Sequence, residues 1–165
     1  MTYKVAIITL SDNGSQGLRQ DLSGPKIKDI MTSQGFEVVS THILSDDPLQ
    51  LKELLIDICD NKKAQLILTT GGTGFSKRDN TPEATLEVIE RNVPGIAEAM
   101  RMKSLSITPR AMLSRGVSGI RKDTLIINLP GSPKAAEENL QVILPVLTHG
   151  LNILSGNEVE CAVRK

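Results

Sequence analysis

Residues 66–85, LILTTGGTGFSKRDNTPEAT, set a short apolar run, a glycine loop, an acid and a helix start in one unbroken line. Gly71, Gly72 and Gly74 carry no side-chain bulk and tolerate positive φ, so backbone N–H groups there can approach a phosphate closely. Asp79 follows in the same loop. Thr81 reads as an N-cap and Pro82 as a first helical residue, which places the positive end of a helix beside the loop. An acid beside an anion cradle suits a magnesium ion shared with substrate phosphates. The stretch is neither a Walker A loop, lacking Gly-Lys-Ser/Thr, nor a GxGxxG fingerprint, since position 77 is Lys. Any parallel sheet uses small residues in its strand-to-helix turns, and a lone Asp79 is commonly a solvated turn residue. The site reading therefore depends on other loops joining this one.

The elements that would bring them together are legible. Apolar runs at 5–10, 36–44, 66–70 and 124–129 alternate with amphipathic segments, the signature of a parallel sheet with helices on both faces. Leu51, Leu54, Leu55 and Ile58 fall at helical spacing. So do Ala136, Leu140, Ile143, Leu147, Leu151 and Leu154, in a long helix that Pro145 should kink or divide. Six of the eight prolines (Pro25, Pro48, Pro82, Pro94, Pro109 and Pro133) stand where a helix would begin. Residues 117–128 suggest a hairpin turning at Lys122-Asp123. No internal repeat, low-complexity tract or linker is visible, and the 165 residues read as a single domain, 1–165.

In an open α/β sheet, ligands bind outside the carboxyl ends of the strands, where strand order reverses. Ser11, Asp12, Asn13 and Gly14, then Gly17, Asp21, Ser23 and Gly24, follow the first strand; Ser45, Asp46 and Asp47 follow the second. The fourth run ends in Asn128, Pro130, Gly131, Ser132, Pro133 and Lys134. Four such loops at one rim read as a binding site. Lys77, Arg78 and Lys134 could add cations there, although each alone is more often a surface residue than a ligand, and Arg115 is similarly ambiguous.

Composition narrows the partners. Nineteen basic residues balance nineteen acidic ones without long runs of either sign, which leaves no electrostatic footprint for nucleic acid or an anionic membrane. One Tyr, two Phe and no Trp give no base-stacking platform, with Phe75 the one loop ring available to stack. With only His42 and His149, a Ser/His/Asp triad has little support. Cys59 and Cys161 form no metal set or CxxC motif, so a reducing cytoplasm is the expected home and Cys59 the expected core residue. The N-terminal apolar stretch is too short for a membrane span and reads as a first strand. Hard carboxylate oxygens, glycine loops and no other apparatus suit metal-assisted phosphoryl or nucleotidyl transfer.

Three segments in this order, SDNGSQGLRQDLSG, TTGGTGFSKRDNTPEAT and LSRGVSGIRKDTLIINLPGSPKA, closely resemble the molybdopterin adenylyltransferases, the MogA/MoaB family that includes the gephyrin G domain. The likeness covers nearly the whole chain, and RD before TPEAT, with LSR before the last strand, is closer to the MogA branch. The resemblance implies a three-layer α/β/α fold, a homotrimer, and MgATP-dependent adenylylation of the terminal phosphate of molybdopterin with release of pyrophosphate. It further implies hand-over of the product to a molybdenum insertase. By position, Asp79 and Asp46 match the family's functional acids and would hold Mg²⁺. Many relatives carry Pro-Asp-Glu where this chain has Ser45-Asp46-Asp47; here Asp47 reads as the helix cap and Asp46 as the acid facing the site, with Asp47 the adjacent alternative. Gly71, Gly72, Thr73 and Gly74 would cradle a nucleotide or pterin phosphate, Pro130, Gly131 and Ser132 would form the opposite wall, and Ser11, Asp12 and Ser114 are further matches. A non-catalytic pterin carrier or scaffold and a MoaB-type paralogue are the alternatives.

Overall fold

The computed structural model describes residues 2–157. Six strands form one mixed sheet in the order β2-β1-β3-β6-β5-β4. Strands β1 (Lys4–Leu10), β2 (Glu37–Leu44), β3 (Leu66–Thr70) and β6 (Thr124–Leu129) are parallel, while β5 (Ser118–Arg121) runs antiparallel to β6. The expected hairpin turn is present, with Lys122 at φ 52°. A two-residue edge strand, β4 (Arg91–Asn92), pairs antiparallel with β5 and has no sequence signature of its own.

Strand parity divides the core into two layers, because successive side chains point to opposite faces. Val5, Ile7, Leu66, Leu68, Leu125 and Ile127 pack beneath α2 (Ser23–Ser33), α5 (Pro94–Leu105) and α6 (Pro133–Leu154). Ala6, Ile8, Leu10, Ile67 and Ile126 pack beneath α3 (Pro48–Asp60) and α4 (Thr81–Val88). The architecture is the expected three-layer α/β/α sandwich. Cys59 lies in the second layer, 1% exposed, and burial pushes its thiol up to about 11, so it is a small core residue. Cys161 lies outside the described residues.

Several helix starts depart from the sequence reading. Helix α2 begins at Ser23, two residues before Pro25, because Asp21 Oδ1 accepts from the N–H groups of Ser23 (3.1 Å) and Gly24 (3.0 Å). Thr81 is the first residue of α4 rather than its cap, and Asn80 holds the cap position. The Thr81 N–H instead bonds the Gly72 carbonyl at 3.1 Å, tying helix to glycine loop. Pro109 opens a 3-10 turn, Pro109–Leu113, not an α-helix. Helix α6 is not divided at Pro145: its buried face runs on from Leu140 and Ile143 to Leu147 and Leu151, and Pro145 itself sits on the exposed side. The lost hydrogen bond thus falls toward water, where the freed carbonyl can be solvated.

Candidate active site

Strand order reverses between β1 and β3, and the helices that follow them, α2 and α4, pack on opposite faces and open a crevice at the carboxyl edge. A cleft of about 390 Å³ occupies it. Its floor is the end of β1 at Thr9 and Leu10, the end of β3 at Thr70, Gly71 and Gly72, and Gly131 and Ser132 beyond β6. These ends are stitched together. Ser11 N–H bonds the Leu44 carbonyl at 2.9 Å, Gly71 N–H the Leu129 carbonyl at 3.2 Å, and Thr70 Oγ1 the Pro130 carbonyl at 2.7 Å. Ser23 Oγ donates to the Gly131 carbonyl at 2.7 Å, joining the start of α2 to the far wall.

Gly71 and Gly72 adopt φ of +98° and +67°, and a Cβ at either would collide, with the Leu10 carbonyl and with Thr81 Oγ1 respectively. Gly74 does not share the expected positive φ; there a Cβ would instead crowd Asp79 Oδ2 at 2.9 Å. The opposite wall is equally bare, since a Cβ at Gly131 would lie 3.2 Å from Gly71 Cα. Ser132 caps the 22-residue α6 by accepting from Ala135 N–H at 3.1 Å, so the positive end of that helix opens on the cleft.

Asp46 and Asp79 both line this cleft. Asp46 Oδ2 accepts from Asp12 N–H at 3.0 Å, and Asp79 Oδ2 accepts from Ser76 N–H at 2.9 Å. Each acid thus has one carboxylate oxygen without a hydrogen bond among the described residues. Burial pushes the Asp46 carboxyl up, and the like charges of Asp12 and Asp79 add to that shift. Among the described residues no three acid, His or Cys side chains gather into a metal set. Two carboxylate oxygens beside an anion cradle fit Mg²⁺, which keeps water and phosphate ligands and needs few from the protein. Asp47 caps α3, its Oδ1 accepting from Leu49 N–H at 2.9 Å, and does not line the cleft.

Other expected residues are distributed differently. Ser11 lines the cleft and accepts from Gly14 N–H at 3.0 Å, capping the short helix α1 (Asp12–Ser15) inside what reads in sequence as a loop. Asp12 does not line the cleft; it forms a bidentate pair with Arg78 (2.9 and 2.7 Å), which holds its carboxyl down at about 2. Thr73 is buried, 7% exposed. Ser114 and Pro130 line a second, mostly apolar cavity of about 210 Å³ between α5, the 3-10 turn and α6. Buried Asn128 also turns away from the cleft, donating to Thr69 Oγ1 and Thr85 Oγ1, both at 3.0 Å. Phe75 is 70% exposed and outside the cleft lining. The sequence reading passes over Arg19, the one cation lining the cleft among the described residues; Asp21, read there only as a residue of the first loop, also lines the cleft, and its Oδ2 accepts from Thr9 Oγ1 at 2.8 Å.

A glycine-walled crevice at the switch point of an α/β/α sandwich, lined by Asp46, Asp79 and the hydrogen-bonded Asp21, has the makings of an anion site. Residues 6–149 match the family model described as a probable molybdopterin binding domain, and the chain belongs to that family. The molybdopterin adenylyltransferase of Helicobacter pylori (strain J99) is 38% identical over 161 residues, covering 96% of this chain and 92% of its own. The solved molybdopterin biosynthesis enzyme MoaB of Thermus thermophilus is 48% identical with TM-score 0.89, covering 94% of this chain and 98% of that one. A solved MogA structure is 38% identical with TM-score 0.87, covering 92% and 99%. Identity to structures bearing both names does not single out the MogA branch.

Proposed function

We propose that this chain is a molybdopterin adenylyltransferase, transferring AMP from ATP to the terminal phosphate of molybdopterin in molybdenum cofactor biosynthesis. The observation that carries it is the convergence of Asp46 and Asp79 on one cleft with the bare backbone at Gly71, Gly72 and Gly131. A pterin phosphate oxygen forms the new bond to the α-phosphorus while the bond to pyrophosphate breaks, so charge builds on the leaving group. Positioning and charge neutralisation supply most of the rate in such transfers. The N-terminus of α6 and Arg19, which line the cleft, would offset that charge, and Asp46 and Asp79 would hold Mg²⁺, whose contribution is to neutralise phosphate oxygens.

A homotrimer in the cytoplasm that passes its product to a molybdenum insertase completes the reading. Exposed Met102, Leu105, Ile107, Met112 and Leu113 cluster on α5 and the following turn, an apolar surface that supports assembly with further copies. No helix among the described residues is long and apolar enough to cross a membrane. The 48% identity to a chain named MoaB supports, as the second reading, a MoaB-type paralogue. Purified protein with MgATP and molybdopterin is expected to yield adenylylated pterin and pyrophosphate. Pterin binding without either product would instead favour a non-catalytic carrier.

A further inference from the structure

We infer that Arg115 is the positioning residue of this site: its guanidinium fixes the segment 73–80 so that the Asp79 carboxylate is held at the mouth of the cleft. The inference rests on the adenylyltransferase reading for the role of Asp79, but the clamp stands on geometry alone. Arg115 N–H bonds the Thr73 carbonyl at 2.9 Å. Its Nε donates to the Gly74 carbonyl at 2.8 Å and its Nη2 to the Asp79 carbonyl at 2.6 Å, while Nη1 pairs with Glu83. One side chain therefore grips the last glycine of the loop, the loop's acid at its own backbone, and the first turn of α4.

The loop's other tie to a distant element is the exposed bidentate pair of Arg78 with Asp12. Asp79 closes a local turn through its N–H to the Ser76 carbonyl (2.9 Å) and its Oδ2 to the Ser76 N–H, and Phe75, Ser76, Lys77 and Arg78 are exposed. Arg78 ties the turn to Asp12 beyond β1, and Asn80 Nδ2 ties it to the start of α4 through the Arg78 carbonyl at 3.1 Å, but neither reaches the residues that follow β3. Arg115 does so, and the chain on either side of it is anchored by Arg101, whose Nη1 donates to the Gly116 carbonyl at 2.7 Å and the Ser114 carbonyl at 3.5 Å. Partial burial pushes the Glu83 carboxyl up, but the Arg115 guanidinium and a backbone N–H outweigh it, and the net shift is downward. The planar fork matters because three acceptors in different directions must be met at once, which a lysine ammonium on a flexible stem cannot reproduce.

The test compares Arg115→Ala, Arg115→Lys, Asp79→Asn and the Arg115→Ala/Asp79→Asn double variant with the unmodified protein. Amide hydrogen exchange across 73–80 should quicken in both Arg115 variants while β1, β3 and β6 stay protected; unchanged exchange there overturns the clamp. Turnover of Arg115→Ala should fall about 100-fold, the size expected for a misplacement of roughly 1 Å, with the pterin KM within about two-fold. Arg115→Lys, which keeps the charge facing Glu83, covers the case in which the alanine variant fails to fold, and should lose most of the same turnover. Adding Arg115→Ala to Asp79→Asn should cost little further, because residues acting as a unit are not additive. Losses that multiply, or Arg115 variants with turnover within two-fold of the parent, overturn the positioning role. If the unmodified protein makes no pyrophosphate, the adenylyltransferase reading falls while the exchange measurement still decides the clamp.

Discussion

Asp12 and Asp46 grip each other reciprocally: Asp12 N–H bonds Asp46 Oδ2 at 3.0 Å, and Asp46 N–H bonds Asp12 Oδ1 at 2.9 Å. The loops after β1 and β2 are thereby locked in register, and Arg78 ties the glycine loop to the same pair. Asp12→Ala should cut turnover by about 10- to 100-fold through displacement of Asp46. Asp12→Asn, which keeps an acceptor for the Asp46 N–H, should lose less. Steady-state pyrophosphate release ranks the two, and equal losses would separate Asp12 from the placing of Asp46.

Asp79→Asn is isosteric and preserves the acceptor for Ser76 N–H, so the loop should keep its shape. Pterin binding by calorimetry should stay near that of the parent while turnover falls by at least about 100-fold, as when an electrostatic group is removed from a reacting centre. A rate close to the parent's removes Asp79 from the mechanism.

Two glycines of positive φ differ in their surroundings. A Cβ at Gly17 (φ +71°) meets nothing within 4 Å, whereas one at Gly71 (φ +98°) runs into the Leu10 carbonyl. Gly17→Ala should cost about 1 kcal/mol, the backbone term alone. Gly71→Ala adds a collision to the strain and should cost about 3 kcal/mol or more. Urea unfolding of both variants measures the gap; similar midpoints would deny that the Gly71 approach is tight.

Far from the cleft, Arg121 on β5 chelates Asp60 at the end of α3 through two bonds of 2.8 Å, which holds the Asp60 carboxyl below its ordinary value. A depressed carboxylate contributes stability that is complete above the unfolded value, near 3.9, and is lost as pH falls through the folded value. Asp60→Asn cannot titrate. Its deficit in melting temperature should therefore be full at pH 6 and shrink steadily below about pH 4. A deficit constant from pH 6 to pH 3 would show that charge plays no part.

Sequence reveals most where a single element carries the pattern. The runs 5–10, 66–70 and 124–129 are readable because β1, β3 and β6 are buried almost without interruption, and 36–44 because β2 is bounded by turn residues. Strand β4 is not, since two exposed residues hold no period. Residue types mark the glycine loop and its acids, but not how they are partnered. Asp12 is spent on Arg78, 66 positions away, and Ser114 falls on the far side of the Pro130 turn, facing a different cavity. Arg115 reads as one more surface cation because its acceptors lie 32 to 41 positions upstream and two of the three are carbonyls, which no residue type announces.

The near-contact of Gly71 with Gly131 fixes the spacing of the cleft's two walls by main chain alone. No side chain stands between them to be trimmed or enlarged, so the gauge of the slot is not open to gradual adjustment at that point. Divergence toward ligands of another girth would have to proceed at the rim, through Arg19, Gln20 and Leu22, where the lining is made of side chains.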